Sequence, residues 1–443
     1  MPNEFQSLPI DLADPKAALA ELPQSAAVFA LYGADSRAEP YIGRTPNLRS
    51  RLERLLQPSS KHPRRLHLAG LVRRIDWQLT GSEFESLLLQ FELVQNQYGT
   101  KCLERMHLRH PAFVRFLGSN PYPRVTVTHR PSLREADWAY GPFPSRAAAE
   151  RYAEEMLKLF LLRRCTFELA PDPSYPGCVY SEMKMCLAPC FKGCSDERYA
   201  EESAAVERFF ATRGESRLVA LRAERDQAST DLAFESAAAL HGQVQCVEAV
   251  RALAAELVRP LSHLRAVILQ ASANPDEVAV FLFDGGRLRG PAAFSTLGMR
   301  IQNEQSGSTS LFAQPLAIEA IPEATEIRDQ RAENTKQQVG ISPTETPADA
   351  HEPQTPSASK LARGVLESRL EAALAELSAP TTAPTATVRQ GHLALLKRWY
   401  YRPEARRAGE VFFPDSEDRW PIKAILRGVG RMAAKTILPP PQT

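Results

Sequence analysis

The chain has 443 residues, 44% hydrophobic and 24% charged, with a net charge of +2, and this length suggests about three globular domains. No run of about 18 apolar residues occurs, which excludes a membrane-spanning helix. We therefore expect no membrane among the partners of this chain. The N-terminus lacks the basic and apolar regions of a secretory signal, so we expect no such signal and a cytoplasmic location.

A small α/β domain is predicted first, over residues 22–105. Its three strands are predicted at residues 26–32, 40–43 and 73–79, where short apolar runs are bounded by polar residues. Asn47 is placed to cap a following helix. A second helix is predicted over residues 82–97, with Ser82 as its N-cap and Glu85 at the capping-box position.

The rest of the chain completes a multidomain protein of α+β class. An edge strand is predicted at residues 121–128 and an amphipathic helix at 145–162. Asp284-Gly285-Gly286 predicts a tight turn in a short β-meander. The predicted units are a connecting region with a cysteine cluster (106–195), a helical region (196–256), a small β region (263–298), a disordered linker (299–360), an isolated helix (361–378) and a C-terminal helical segment (388–438).

Two strand motifs and the helix after them carry a family resemblance. Ala27-Val28-Phe29 is followed by Tyr41-Ile42-Gly43 and then by the helix that contains Arg51. With the helical string GSEFESLLLQFELV from Gly81, these residues resemble the GIY-YIG nuclease domain of the UvrC family of excinucleases. The resemblance implies a DNA repair protein of nucleotide excision repair, derived from an endonuclease that hydrolyses a phosphodiester near a lesion.

Phosphodiester hydrolysis needs a group that activates water, a divalent ion and positive charge near the phosphate. The resemblance implies Tyr41 beside the nucleophile, Arg51 on the phosphate, and Mg²⁺ or Mn²⁺ on a helix glutamate. Phe29 replaces the family's first tyrosine and Gln90 replaces that glutamate. A neutral amide is a weak Mg²⁺ ligand. Glu83 lies on the same helix face as Gln90, but it is about 10 Å away along the helix axis. Two hypotheses therefore stay open: a metal-dependent DNA endonuclease and a catalytically inactive adaptor.

Positive charge is concentrated beside this motif. From Arg44 to Arg74 there are nine Lys or Arg residues and one acid, Glu53. Such a run is either a solvated face or a surface for a nucleic-acid backbone, and its place beside the expected phosphate site favours the second. The DNA-binding candidates are Arg44, Asn47, Arg49, Arg54, Arg64 and Arg65.

Five of the seven cysteines lie within thirty residues. In a chain without a signal peptide this favours a metal or cluster cofactor over disulfides. The four candidate ligands are Cys165, Cys178, Cys186 and Cys190. Zinc sites usually show two close cysteine pairs, which this spacing lacks. The segment resembles the UvrC-family segment associated with a [4Fe–4S] cluster, while zinc and four unliganded thiols stay open as alternatives.

A helical stretch from Leu218 resembles the UVR motif, the hairpin through which the UvrC family docks on its partner UvrB. The residues that match the core of this motif include Phe234, Glu235, Ala238 and Leu240. A simple hairpin that closes the domain is the alternative. The second, RNase H-type nuclease half of the family is expected to be absent, and a Gly-x-Gly after Ala424 faintly resembles a helix-hairpin-helix DNA binder.

Overall fold

Strands from distant parts of the chain form three four-stranded sheets in the computed structural model. The structure describes residues 5–10, 19–35, 37–56, 68, 70–296, 358–380 and 382–437.

The first sheet has the order β1-β4-β2-β3, which leaves β3 at an edge. All its strand pairs are antiparallel. Apolar side chains of α1 pack on one face of the sheet with the buried residues of β2 and β4. The elements are β1 (Gln6–Pro9), β2 (Ala27–Gly33), β3 (Tyr41–Thr45), α1 (Leu48–Leu56), β4 (Val72–Leu79), α2 (Glu83–Tyr98) and the single turn α3 (Cys102–Arg105).

The second sheet has the order β6-β5-β7-β8 and holds the middle of the chain. Its core is shared with four long helices, and Tyr140 stacks on Phe210 with ring centroids 4.1 Å apart. The elements are β5 (Ala112–Phe116), β6 (Val125–Thr128), β7 (Ala139–Phe143), α4 (Arg146–Leu157), the single turn α5 (Val179–Glu182), α6 (Asp196–Ala211), α7 (Glu215–Thr230), α8 (Phe234–Ala252) and β8 (Arg259–Pro260).

The third sheet, β11-β10-β9-β12, joins the predicted meander to the C-terminal segment. Gly285 and Gly286 have φ of +56° and +79°, as the tight turn between β10 and β11 requires. Short strand β12 pairs antiparallel with β9. The elements are β9 (Ala266–Ala271), β10 (Glu277–Asp284), β11 (Arg287–Ser295), α9 (Ala358–Ser378), α10 (Ala386–Tyr400), β12 (Glu410–Phe412) and α11 (Ile422–Ile437).

The C-terminal helices belong to this third unit. Helices α9 and α11 pack on one face of the sheet. Helix α10 packs on the other face and also contacts α2 of the first unit. The interpretation of 361–378 as an isolated helix is therefore wrong, because its apolar face needed a partner that lies far away in sequence.

Several local expectations also differ from the structure. The Gly-x-Gly after Ala424 lies inside the continuous helix α11, so it forms no hairpin turn. A Cβ on Gly428 would lie 2.6 Å from Phe412 Cζ, so this glycine permits close packing of the helix on the sheet. Helix α4 ends at Leu157. Ser82 caps α2, but the Glu85 carboxylate accepts from the Gly81 N–H at 2.8 Å. Strands β1, β5 and β7 were not expected. The predicted disordered linker, 299–360, lies outside the described residues as far as 357, and its last three residues belong to helix α9.

Candidate functional site

One predicted catalytic pair lies together. Tyr41 begins edge strand β3 and Arg51 lies on α1, the helix that follows. Asn47 caps this helix, because its side-chain oxygen accepts from the Ser50 N–H at 3.0 Å. Arg51 Nη2 donates to the Tyr41 hydroxyl at 3.3 Å, and both side chains are half-buried. A cation is thus held next to a phenol at the edge of the sheet.

Phe29 lies in the hydrophobic core. Its side chain is fully buried and pairs across the sheet with Gly43 on one side and Trp77 on the other. A Cβ on Gly43 would lie 2.8 Å from Phe29 Cζ, so the glycine of the motif makes room for this ring. The ring centroid of Phe29 is 6.1 Å from that of Tyr41. The first motif position therefore supplies packing and has no hydroxyl.

Helix α2 runs antiparallel to β3, as two contacts show. At its start Glu83 Oε1 lies 3.4 Å from Arg44 Nη2, at the end of β3. At its end the Tyr98 hydroxyl donates to the Pro40 carbonyl at 3.1 Å, just before β3. Gln90 lies two turns after Glu83 on the same helix face, so it faces the middle of the strand that carries Tyr41. The family's glutamate position is thus close to the expected site, but it holds an amide.

The carboxylate on this helix face is already bound. Arg402, just beyond the end of α10, donates from both terminal nitrogens to the two oxygens of Glu83, at 2.7 and 2.8 Å. These hydrogen bonds, followed by the charges of Arg402 and Arg44, lower the pKa of Glu83. Sequence reasoning missed Arg402, because 319 residues separate it from Glu83 and no local pattern marks it.

Four of the six predicted DNA-binding residues, Arg44, Asn47, Arg49 and Arg54, lie on strand β3, on helix α1 or at its N-cap. Arg49 Nε donates to the Leu22 carbonyl at 2.7 Å, which holds part of that guanidinium against the protein. Arg54 is exposed and its Nε donates to the Ser50 carbonyl at 3.0 Å. Arg64 and Arg65 lie outside the described residues. The role of these residues stays a prediction.

The four predicted cysteine ligands line one small pocket. Cys165 lies on the chain after α4, Cys178 caps α5, and Cys186 and Cys190 flank a loop in which Ala188 has φ of +56°. In the described part of the chain, no three His, Cys, Asp or Glu side chains are close enough to hold a single metal ion. The pocket therefore brings the four sulfurs around one space without the tight geometry of a mononuclear site.

Donors suited to thiolates surround this pocket. Arg163 is 1% exposed, and its Nη1 lies 3.6 Å from Cys165 Sγ and 2.9 Å from the Phe167 carbonyl. The Ala188 N–H lies 3.3 Å from Cys186 Sγ. Burial raises the pKa of the Cys186 thiol to about 11, so a bound metal would be needed to keep it deprotonated at neutral pH. The donor set fits a sulfur-ligated cofactor.

Helices α7 and α8 form an antiparallel hairpin with an apolar tip. Its tip residue Leu232 has φ of +58° and is 71% exposed, and Phe234 beside it is 66% exposed. Glu235 and Ala238 are exposed as well, whereas Leu240 is half-buried against the second core. Large apolar side chains exposed together are typical of an interaction surface.

The edge-strand Tyr–Gly motif, the arginine of the next helix and the following helix α2 define the GIY-YIG class of proteins. The family model described as the UvrC-like GIY-YIG domain matches residues 27–99, and the UvrC/Cho excinuclease middle domain matches residues 113–209. Over these residues, the chain is similar to UvrC-family GIY-YIG proteins.

Similar curated proteins are each described as UvrABC system protein C. Those of Aromatoleum aromaticum and Alcanivorax borkumensis are 31% identical over 242 and 241 residues, and that of Salmonella typhimurium is 30% identical over 244 residues. Each match covers 54% of this chain and 39% of the relative, so the chain spans about two fifths of their length. No solved structure matches the chain.

A helix that crosses a membrane needs about 20 consecutive, mostly apolar residues. Within the residues that the structure describes, no helix combines that length and apolarity.

Proposed function

We propose that this chain acts in bacterial nucleotide excision repair as a DNA- and UvrB-binding adaptor whose GIY-YIG site no longer cleaves DNA. One observation carries the proposal: Tyr41 and Arg51 are in contact, whereas Phe29 and Gln90 stand where the resemblance expects a second tyrosine and a metal-binding glutamate. The site thus retains a cation for a phosphate and lacks the groups that would activate water. Family likeness to repair proteins supports the DNA substrate.

The loss of cleavage follows from three side chains. Phe29 has no hydroxyl and is fully buried. Gln90 is neutral, whereas Mg²⁺ is usually bound through at least one carboxylate. Glu83, the acid on the same helix face, is bound by two arginines, so a metal ion would have to compete with both guanidinium groups. Binding can therefore persist without efficient hydrolysis.

A second candidate function is a single-nick DNA endonuclease. The observation that favours it is the retained contact between Tyr41 and Arg51, which matches a phenol beside the nucleophile and a cation on the phosphate. Mg²⁺ or Mn²⁺, when bound, would polarise the scissile phosphate and the attacking water. Gln90 would be one of its ligands, and this chain's own Arg51 would hold the phosphate.

A nicking assay separates the two functions. Lesion-containing duplex DNA, loaded with UvrB and Mg²⁺ or Mn²⁺, would be incubated with the protein and with a Phe29→Tyr/Gln90→Glu variant. We expect binding without nicking by the natural protein. Nicking that disappears in Arg51→Ala would overturn the adaptor proposal and support the endonuclease. Nicking gained only by the double variant would show that these two positions abolished the activity.

The hairpin of α7 and α8 is the proposed UvrB contact, because its tip exposes Leu232 and Phe234. Burying such side chains at an interface contributes most of the binding energy of a small contact. In calorimetry with purified UvrB, Leu232→Ser/Phe234→Ser should bind at least tenfold more weakly. Val219→Ser is a matched control, since Val219 is 59% exposed on α7. Equal binding by all three proteins would refute this contact.

A [4Fe–4S] cluster is the proposed cofactor of the cysteine pocket. The four cysteines line one pocket, and their spacing lacks the two close pairs usual at zinc sites, which favours a polynuclear cluster over zinc. Cys165, Cys178, Cys186 and Cys190 would hold it, and Arg163 would donate to its sulfur shell. Anaerobically purified protein should contain iron and absorb broadly in the visible range, and Cys186→Ser should lose both. Stoichiometric zinc without iron would refute the cluster.

A further inference from the structure

Two arginines from distant parts of the chain bind one carboxylate, and a third arginine lies one helical turn from the second. Arg44 ends the motif strand β3, and Arg402 follows helix α10 near the other end of the chain. Both bind Glu83, Arg44 at 3.4 Å and Arg402 through two hydrogen bonds. Arg398 lies one helical turn before Arg402, and its charge acts on both Arg44 and Glu83.

This group of four residues, Glu83, Arg44, Arg398 and Arg402, carries an excess of positive charge. The group contains three guanidinium groups and one carboxylate, which gives it a formal charge of +2. Burial first, and then repulsion from Arg398 and Arg402, lowers the pKa of Arg44. Arg398 is exposed and has no ion-pair partner within the described ranges. The group can therefore accept a further anion, or exchange its carboxylate for one.

The chemistry of that anion follows from the geometry. Arg402 holds Glu83 through two parallel N–H donors, the arrangement by which arginine also binds phosphate oxygens. Side chains of Glu83 and Arg402 are 44% and 26% exposed, so solvent and a ligand can reach the pair. Because the same pair of donors matches carboxylate and phosphate oxygens alike, a phosphate can compete with Glu83 for Arg402.

The position of the group points to DNA. Arg44 is three residues after Tyr41 on the same edge strand, and the helix that carries Arg51 follows at once. We propose that Arg44, Arg398 and Arg402 bind the phosphate backbone of DNA beside the GIY-YIG site, with a backbone phosphate displacing Glu83 from Arg402. The C-terminal unit thereby supplies half of a DNA surface that the motif domain begins. This inference rests on the proposed DNA binding.

If a DNA phosphate displaces Glu83 from Arg402, substitutions of these two residues should have opposite effects on DNA affinity. Affinity for a fluorescein-labelled DNA duplex would be measured by anisotropy over a series of salt concentrations. Arg398→Gln/Arg402→Gln should bind at least tenfold more weakly near 0.1 M salt and reduce the salt slope by about 1 to 2, because each phosphate contact adds about 0.9 to that slope. Glu83→Gln should bind about two- to fivefold more tightly, the range set by an exposed ion pair.

A second bidentate pair in the same unit gives a matched control. Arg431 donates to both oxygens of Glu410, at 2.8 and 2.5 Å, between α11 and β12. Arg431→Gln and Glu410→Gln should leave DNA affinity unchanged. Arg402→Lys keeps the charge but loses the two parallel donors, so its DNA affinity should fall between those of the natural protein and Arg402→Gln, which separates loss of binding from loss of folding.

Each remaining outcome has one meaning. If Arg398→Gln/Arg402→Gln and Glu83→Gln both weaken binding, or neither changes it, the Glu83–Arg402 pair is only a structural link and the inference is wrong. If Arg54→Gln weakens binding while Arg398→Gln/Arg402→Gln does not, the proposed function stands and the inference fails alone. If the natural protein binds no duplex DNA, both fail.

Discussion

A single methyl group on helix α10 should loosen the C-terminal unit from the motif domain. Gly391 of α10 faces Phe91 of α2, and a Cβ at Gly391 would lie 2.2 Å from Phe91 Cζ and 2.3 Å from Cε2. Phe91 is 1% exposed, so its ring is enclosed by neighbouring side chains. Gly391→Ala therefore forces the two helices apart.

The magnitude follows from two opposing terms. Replacing glycine by alanine inside a helix stabilises the helix by about 1 kcal/mol. Overfilling a packed core costs about 1–3 kcal/mol. The net effect of Gly391→Ala is therefore a loss of roughly 0–2 kcal/mol. Gly242→Ala on α8, where nothing lies within 4 Å of the added Cβ, should show the stabilising term alone.

Hydrogen exchange measures both effects locally. Amides of α10, residues 386–400, should exchange faster in Gly391→Ala, while amides of α8 should exchange more slowly in Gly242→Ala. Adding Phe91→Leu, which removes the clashing ring atoms, should restore protection to α10 in the Gly391→Ala background. Slower exchange of α10 in Gly391→Ala alone would refute the packing of this helix on Phe91.

Three further predictions concern buried or capping groups. Burial lowers the pKa of His392 to about 3, so between about pH 6.5 and pH 3 only the unfolded state binds a proton at this residue. In urea unfolding, the free energy of unfolding should therefore fall by up to about 1.4 kcal/mol for each unit by which the pH is lowered. His392→Phe should reduce that pH dependence. Ser82→Ala should cost about 0.5–2 kcal/mol in the same assay, because it removes the N-cap of α2; an unchanged midpoint would contradict this. Gly428→Ala should lower the melting temperature, since a Cβ there would lie 2.9 Å from Leu269 Cδ1, and a raised one would refute close packing of α11 on β9.

Local signals predicted the motif domain well. Asn47 and Ser82 cap the expected helices, and strands β2, β3 and β4 fall close to their predicted bounds, whereas β1 was not expected. These features depend on neighbours within a few residues, so the sequence pattern contains them. The buried position of Phe29 also follows from its place in an apolar run.

Long-range features could not be predicted in this way. Strand β12 has only three residues, and its pairing with β9 depends on residues more than a hundred positions away. The bond between Arg402 and Glu83 spans 319 residues, and arginines near a helix end are common on any surface. Only the folded arrangement distinguishes Arg402 from its exposed neighbours.

Helix α2 of the first unit packs against the third unit. Its apolar side chains, among them Phe84, Leu88 and Phe91, belong to one core with residues of β9, β10 and α10. Gly81, just before the helix, approaches the backbone of Ser272 so closely that a Cβ would lie 2.1 Å away. A fragment that ends before residue 259 would expose this apolar face of α2 to water. We therefore expect that the motif domain of this chain does not fold as an independent module. The shared core also fixes the orientation of the two units relative to each other.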